Sequence, residues 1–246
     1  MIPMTFGLVK HAVLAPGVVS DEERRQWAAG ALPALPDQLP DRPLVYDKRL
    51  PMMKARRMSP GARLACEAAM SVAEAGAIDA WIFASRHGET ARGVKILTSL
   101  AADAPVSPTD FMMSVHNAAA GMFTIESACH APATSLAAGA DSFHMALVEA
   151  AGMLCTDMHR VAVVDFDGAL PESVLETFES MPANMTYATA WVLERGETLR
   201  MTLDSLDADG EPRLASSLQL AAGLAAQRPS FTTVGGRTLA RWEVCA

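Results

Sequence analysis

The sequence predicts an α/β protein with a mixed, largely buried sheet flanked by helices. Three observations carry this prediction. Short apolar, β-branched runs alternate with Ala-rich stretches of helical spacing, Gly and Pro punctuate the joins, and residues 160–166 (RVAVVDF) form the strongest strand signal in the chain.

The elements follow in order. Residues 6–14 predict a first strand that ends at Ala15-Pro16-Gly17, and the proline-crowded residues 31–44 predict an irregular loop. A helix comes next: Ser59 suits its N-cap, Pro60 its first turn and Gly76 its end. Leu64, Ala65, Ala68, Ala69, Val72 and Ala75 fall on one face of it. Residues 80–85 predict a short buried strand, and residues 91–102 a further helix. The apolar stretch 111–128 reads as helical throughout. Residues 134–137 are short and extended, leading into a helix striped by Phe143, Ala146, Leu147, Ala150 and Leu154, with Asp141 as its N-cap. A strand at 188–193, charged strands and a helix near 214–226 complete the chain. There is no internal repeat, and residues 1–246 are expected to form a single domain.

Composition bounds the function. Half the residues are hydrophobic and a fifth are charged, which is globular rather than disordered. A net charge of −8 argues against nucleic acid as a partner, because phosphate binding needs a positive field. No apolar run is long enough to span a membrane and the N-terminus has no signal-peptide pattern, so a cytoplasmic protein is expected. Cys66, Cys129, Cys155 and Cys245 lack metal-ligand spacing and suggest scattered buried thiols, with no metal site.

Two local motifs invite catalytic readings. Arg86-His87-Gly88-Glu89-Thr90, after an apolar run, resembles the phosphoryl-accepting motif of histidine phosphatases. That chemistry also needs a second, late histidine, and none follows His159. His87 is therefore expected in a surface loop. Cys129-His130 pairs a nucleophile with a base only in sequence, since adjacent residues of a helix point apart. Asp165 and Asp167, at the end of a strand, are expected to serve the following turn.

The more informative stretch is 107–154. Ser107-Pro108, then Asn117-Ala118-Ala119-Ala120-Gly121, Thr124-Ile125 and Ala131-Pro132 occur in an order that resembles the N-terminal half of β-ketoacyl synthases, of the thiolase-like superfamily. The preceding Arg57-Met58-Ser59 and its helix resemble that family too, so the likeness is strongest over 50–170. The resemblance implies a thiolate nucleophile at the start of a buried helix, where free N–H groups and the helix dipole lower a thiol pKa. Counting without gaps from Asn117 places that position at Ala140, and a one-residue slip gives Gly139 or Asp141. None is a cysteine, so no catalytic residue is assigned.

Full ketosynthases run much longer, with two similar halves and two decarboxylating histidines in the second. This chain is truncated relative to them. The resemblance therefore implies a chain length factor of type II polyketide or aryl polyene systems, paired as a heterodimer with an active β-ketoacyl synthase. No cofactor would be bound, and the acyl chain would ride on the phosphopantetheine of an acyl carrier protein. In the family the helix before the Asn-Ala-Ala segment lines the partner's acyl tunnel. This makes Phe111, Met112, Met113, Ser114, His116 and Asn117 the tunnel or interface candidates, with this chain's own core as the other destination for the Met pair. A residual acyl-thioester transferase or hydrolase using Cys129 or Asp141 is the alternative. The role of residues 195–246 is left open.

Overall fold

The computed structural model describes residues 3–16, 44, 46, 48–176, 184–206, 212 and 214–245. Apart from Leu44, the expected proline-rich loop lies outside the described residues. Strands β1 (Met4–Leu14), β2 (Ala80–Ala84), β3 (Ala133–Leu136), β4 (Arg160–Asp167), β5 (Tyr187–Ser205), β6 (Ser230–Val234) and β7 (Thr238–Val244) join in one mixed sheet of order β3-β2-β4-β5-β7-β6, and β1 pairs with β5 as well. The pairs β2–β3 and β2–β4 are parallel, whereas β4–β5, β5–β7, β6–β7 and β1–β5 are antiparallel.

Helices cover both faces. Helices α1 (Met52–Ala55), α2 (Pro60–Ala73), α3 (Thr90–Ala101), α4 (Pro108–Met112) and α5 (Ala118–Glu126) precede β3, α6 (Ser142–Leu154) and α7 (Glu172–Leu175) flank β4, and α8 (Ser216–Ala225) precedes β6. The alternation of β4 sorts its side chains. Val161 and Val163 enter one core with Phe143, Ala146 and Leu147 of α6 and Leu218 and Leu220 of α8. Ala162, Val164 and Phe166 enter the other with Leu64, Ala65 and Ala68 of α2 and Phe123 of α5. Burial on both faces explains why this strand reads as a continuous apolar run.

The start of α2 follows its sequence signal. Ser59 Oγ accepts from the Ala62 N–H at 3.2 Å and Pro60 occupies the first turn. Gly61 is needed for contact rather than conformation: a Cβ there would lie 2.6 Å from the Gly168 nitrogen, so only hydrogen lets α2 abut the end of β4.

Several expectations are corrected. The stretch 111–128 is not one helix but α4 and α5, broken at 113–117. There Ser114 Oγ bonds back to the Phe111 carbonyl and His116 Nε2 is drawn to the Ser85 carbonyl at 3.0 Å. The strand expected at 188–193 is the start of a strand running to Ser205. Residues beyond 195 extend the same sheet and pack α8 beside α6. The thiols are not uniformly buried either: Cys66 is, but Cys155 is exposed and Cys129 and Cys245 are intermediate.

Candidate functional site

Strand β3 leads through residues 137–141 into α6, and this turn faces the C-terminal ends of β2 and β4. Between them lies an open cleft of about 650 Å3, its mouth included, bordered by Ala140, His87, Asp165, Asp167, Tyr187 and Met185, among others. A cleft outside the carboxyl ends of parallel strands, facing a helix start, is where α/β folds place ligands.

Two carboxyls form its floor. Asp165 pairs in register with Ala84 of β2 and Thr189 of β5, and alternation puts it on the face of Val161 and Val163, toward α6 and α8. Its Oδ2 accepts from the Tyr187 hydroxyl at 3.1 Å and from Ser217 Oγ, on α8, at 2.5 Å. Burial pushes its pKa up to about 7; the hydrogen bond from Ser217 opposes this, and the neighbouring charge of Asp167 adds to it. Burial raises Asp167 as well, yet three donors converge on it: Ser85 Oγ at 2.7 Å and the N–H groups of His87 at 2.9 Å and Arg86 at 3.3 Å. Of the two, Asp167 is the better placed to hold a charge, and Asp165 to hold a proton. Both belong to the strand and its buried network rather than to a turn, which corrects the expected role.

His87 is not a free loop residue. It borders the cleft, and its backbone and that of Arg86 hold Asp167, so the Arg-His-Gly motif here builds the turn that seats a carboxylate. Asp141 occupies the N-cap position of α6, as expected, but its carboxylate is used elsewhere. Its side chain makes no bond to the N–H groups of α6; instead it accepts from the backbone of Arg237 and Thr238 and from the Thr238 hydroxyl, fastening the β6–β7 turn to the helix start.

Ala140 borders the cleft, next to Asp141 in sequence. Cys129 follows the end of α5, where the chain is no longer helical, and does not border the cleft. The chain therefore brings neither of the two suggested thioester nucleophiles to the cleft in a free state. Phe111 and Met112 project outward at 68% and 67% exposure, Asn117 is exposed, and Met113, Ser114 and His116 are half-buried. Filling this chain's own core is thus excluded for Phe111 and Met112. No group of three or more metal-ligating side chains occurs among the described residues, nor any helix long and apolar enough to cross a membrane.

Local sequence could not reveal the site's most unusual residue. Asp165 is visible at a strand end, but Tyr187 and Ser217, which bury and bind it, lie far along the chain.

The chain matches the family described as β-ketoacyl synthase, N-terminal domain, over residues 24–243. It is similar to a chain in the complex of the ketosynthase ApeO with its chain length factor ApeC from Xenorhabdus doucetiae. The two share 35% identity at a TM-score of 0.90, covering 98% of this chain and 99% of that one. The ishigamide ketosynthase/chain length factor shares the fold at a TM-score of 0.75 and 15% identity, covering 99% of each chain. A β-ketoacyl synthase from Burkholderia phymatum also shares it, at 0.61 and 12%, covering 92% of this chain and 71% of that one. No curated protein matches the sequence. With the family match spanning most of the sequence and the parallel core leading into α6 as that fold requires, the chain belongs to the β-ketoacyl synthase N-terminal domain family.

Proposed function

We propose that this protein is a catalytically silent chain length factor, which pairs with an active β-ketoacyl synthase and shapes its acyl tunnel in polyketide or aryl polyene synthesis. The observation that carries the reading is Ala140: the turn into α6 has alanine at the border of the cleft where a condensing enzyme of this fold needs a thiolate. The likeness to a chain of the ApeO–ApeC complex, over nearly the whole of both chains, supports the pairing.

The surface supports it as well. Leu97 and Leu100 of α3, Phe111 and Met112 of α4, Val115 and Ile125 are large apolar side chains left at least half exposed. Helix α3 buries none of its residues, although its apolar positions recur at helical spacing. Apolar surface on this scale marks a contact site. Strand β3 adds an edge: among the described residues it pairs with β2 alone, and Ser135 Oγ is buried with no hydrogen-bond partner among them. A partner strand alongside β3 would meet both needs. The acyl chain would be carried on the phosphopantetheine of an acyl carrier protein in the cytoplasm, with Phe111, Met112 and Met113 as part of the tunnel wall.

Co-expression with a ketosynthase from the same gene neighbourhood, followed by native mass spectrometry, tests the reading. A heterodimer is expected, lost in Phe111→Asp and Met112→Asp variants whose circular dichroism is unchanged. A monomer with no complex, or an acyl adduct on the isolated chain after incubation with acyl-carrier thioesters, would overturn it.

A further inference from the structure

The segment between α4 and α5 is strapped across the turn that follows β2, with a tie at each end of that turn. At one end His116 Nε2 donates to the Ser85 carbonyl at 3.0 Å. At the other, Arg92 joins Glu89, at 2.9 Å, to Asp110, at 2.7 Å, in the first turn of α4. Between the two ties the chain projects Phe111, Met112 and Val115, each at least half exposed. The fit is close: Gly88 has a left-handed φ of +53°, and a Cβ on it would lie 2.9 Å from His116 Cδ2.

The inner side of the same turn is committed to the end of β4. The N–H groups of Arg86 and His87 donate to Asp167. The Gly88 N–H donates at 2.8 Å to Ser85 Oγ, which itself donates to Asp167 at 2.7 Å. Ser85 and Asp167 are both buried. Residues 85–89 thus have two sides with different partners: a buried carboxylate holds their donors within, and the strap 110–116 holds Ser85 and Glu89 without. A buried carboxylate is costly without its donors, so this seat depends on the turn keeping its shape.

We propose that the strap couples partner docking to the cleft: a ketosynthase covering Phe111, Met112 and Val115 stiffens residues 110–116, and His116 and Arg92 pass that restraint to the turn that seats Asp167. The coupling rests on the pairing proposed above and acts through order rather than displacement. A segment immobilised by a partner opens less often, and so do the bonds tied to it. The donors concerned point inward to Ser85 and Asp167, which puts them out of hydrogen-bonding reach of a protein docked outside.

Hydrogen-exchange mass spectrometry of the full chain, alone and with the ketosynthase from its gene neighbourhood, tests the coupling, and native mass spectrometry of the same samples reports the complex. Pairing is expected to slow exchange at the Arg86, His87 and Gly88 amides about tenfold. Two variants cut the route by different means. His116→Phe keeps a ring but loses the donor to Ser85, and Gly88→Ala drives a methyl group against the His116 ring. Each should still pair and stay protected at 110–115 while losing most of the gain at 86–88. Absence of a complex would end the pairing reading and the coupling with it. A complex whose amides at 86–88 exchange as in the free chain would overturn the coupling alone, as would an undiminished gain in either variant. The comparison of free and paired wild type stands even if both variants fail to fold.

Discussion

Thr238 donates both its N–H and its hydroxyl to Oδ1 of Asp141, at 3.1 and 2.6 Å, across a separation of nearly a hundred residues. The same carboxylate accepts from the Arg237 N–H, and a Cβ on Gly235 would collide with it. Asp141 therefore holds the β6–β7 turn against the start of α6. Asp141→Ala leaves several donors unanswered and should cost about 3 kcal/mol, with Asp141→Asn costing roughly half as much. Urea unfolding of the two variants checks both values.

His144 continues this connection inward. Its Nδ1 lies 2.7 Å from Thr238 Oγ1 and its Nε2 2.8 Å from Thr233 Oγ1, which also accepts from Trp242 Nε1. With Thr238 donating to Asp141, the neutral Nδ1–H tautomer satisfies every group in the relay, and a second ring proton would oppose the Thr233 hydroxyl. Burial lowers its pKa to about 4. A histidine whose folded pKa is depressed contributes stability that is full above about pH 6.5 and is lost as pH falls toward 4, on the order of 3 kcal/mol. His144→Gln should lack this loss, as unfolding free energies measured across that range would show.

Asp165 acts with the opposite sign. Its folded pKa, raised to about 7, makes its contribution most favourable below about pH 4 and progressively less so up to about 7. Asp165→Asn should therefore gain on the wild type as pH rises through that window, by on the order of 4 kcal/mol, and gain little further above it. The same unfolding series, run in parallel, reads this difference.

Arg92 positions the apolar surface of α3 and α4. It binds Glu89 at 2.9 Å and Asp110 at 2.7 Å and also donates to the Arg57 carbonyl, while α3 buries no side chain of its own. Removing it leaves buried Glu89 with only the Ser59 hydroxyl among the described residues, while Asp110 keeps Lys95, so the loss of the Glu89 partner sets the cost at about 2 kcal/mol or more. Arg92→Met should raise amide exchange across residues 90–112 and leave the strands protected, which hydrogen-exchange mass spectrometry resolves.

Ala140→Cys restores a thiol at the start of α6 without supplying the two histidines that the resemblance assigns to the other half of a full ketosynthase. The variant should take up iodoacetamide in the cleft yet release no carbon dioxide from a malonyl thioester. Peptide mapping and a bicarbonate assay separate the two outcomes.

How much of this was legible varies with the range of the interactions involved. The cap at Ser59-Pro60 and the stripe of α2 are local, and both appear where the sequence places them. Strand β4 was legible because burial on both faces leaves an unbroken apolar run. Charged strands were expected after 193, but their continuity with 188–193 was not legible: Arg195, Glu197 and Arg200 belong to one long strand held by pairing with β1 and β7. The break after α4 depends on a bond from His116 to the distant Ser85 carbonyl. The candidate site divides the same way. Ala140 could be counted from Asn117, while the outward aim of Phe111 and the burial of Asp165 are tertiary facts with no local signature.

Strand β7, the last in the sequence, lies in the interior of the sheet between β5 and β6. During vectorial synthesis β6 emerges before it has anything to pair with, and residues 199–205 keep one flank bare until 238–244 arrive. The nascent chain thus passes through an interval in which two strand flanks stand open to foreign chains. Ribosome-bound intermediates are therefore a stage at which this molecule is open to aggregation.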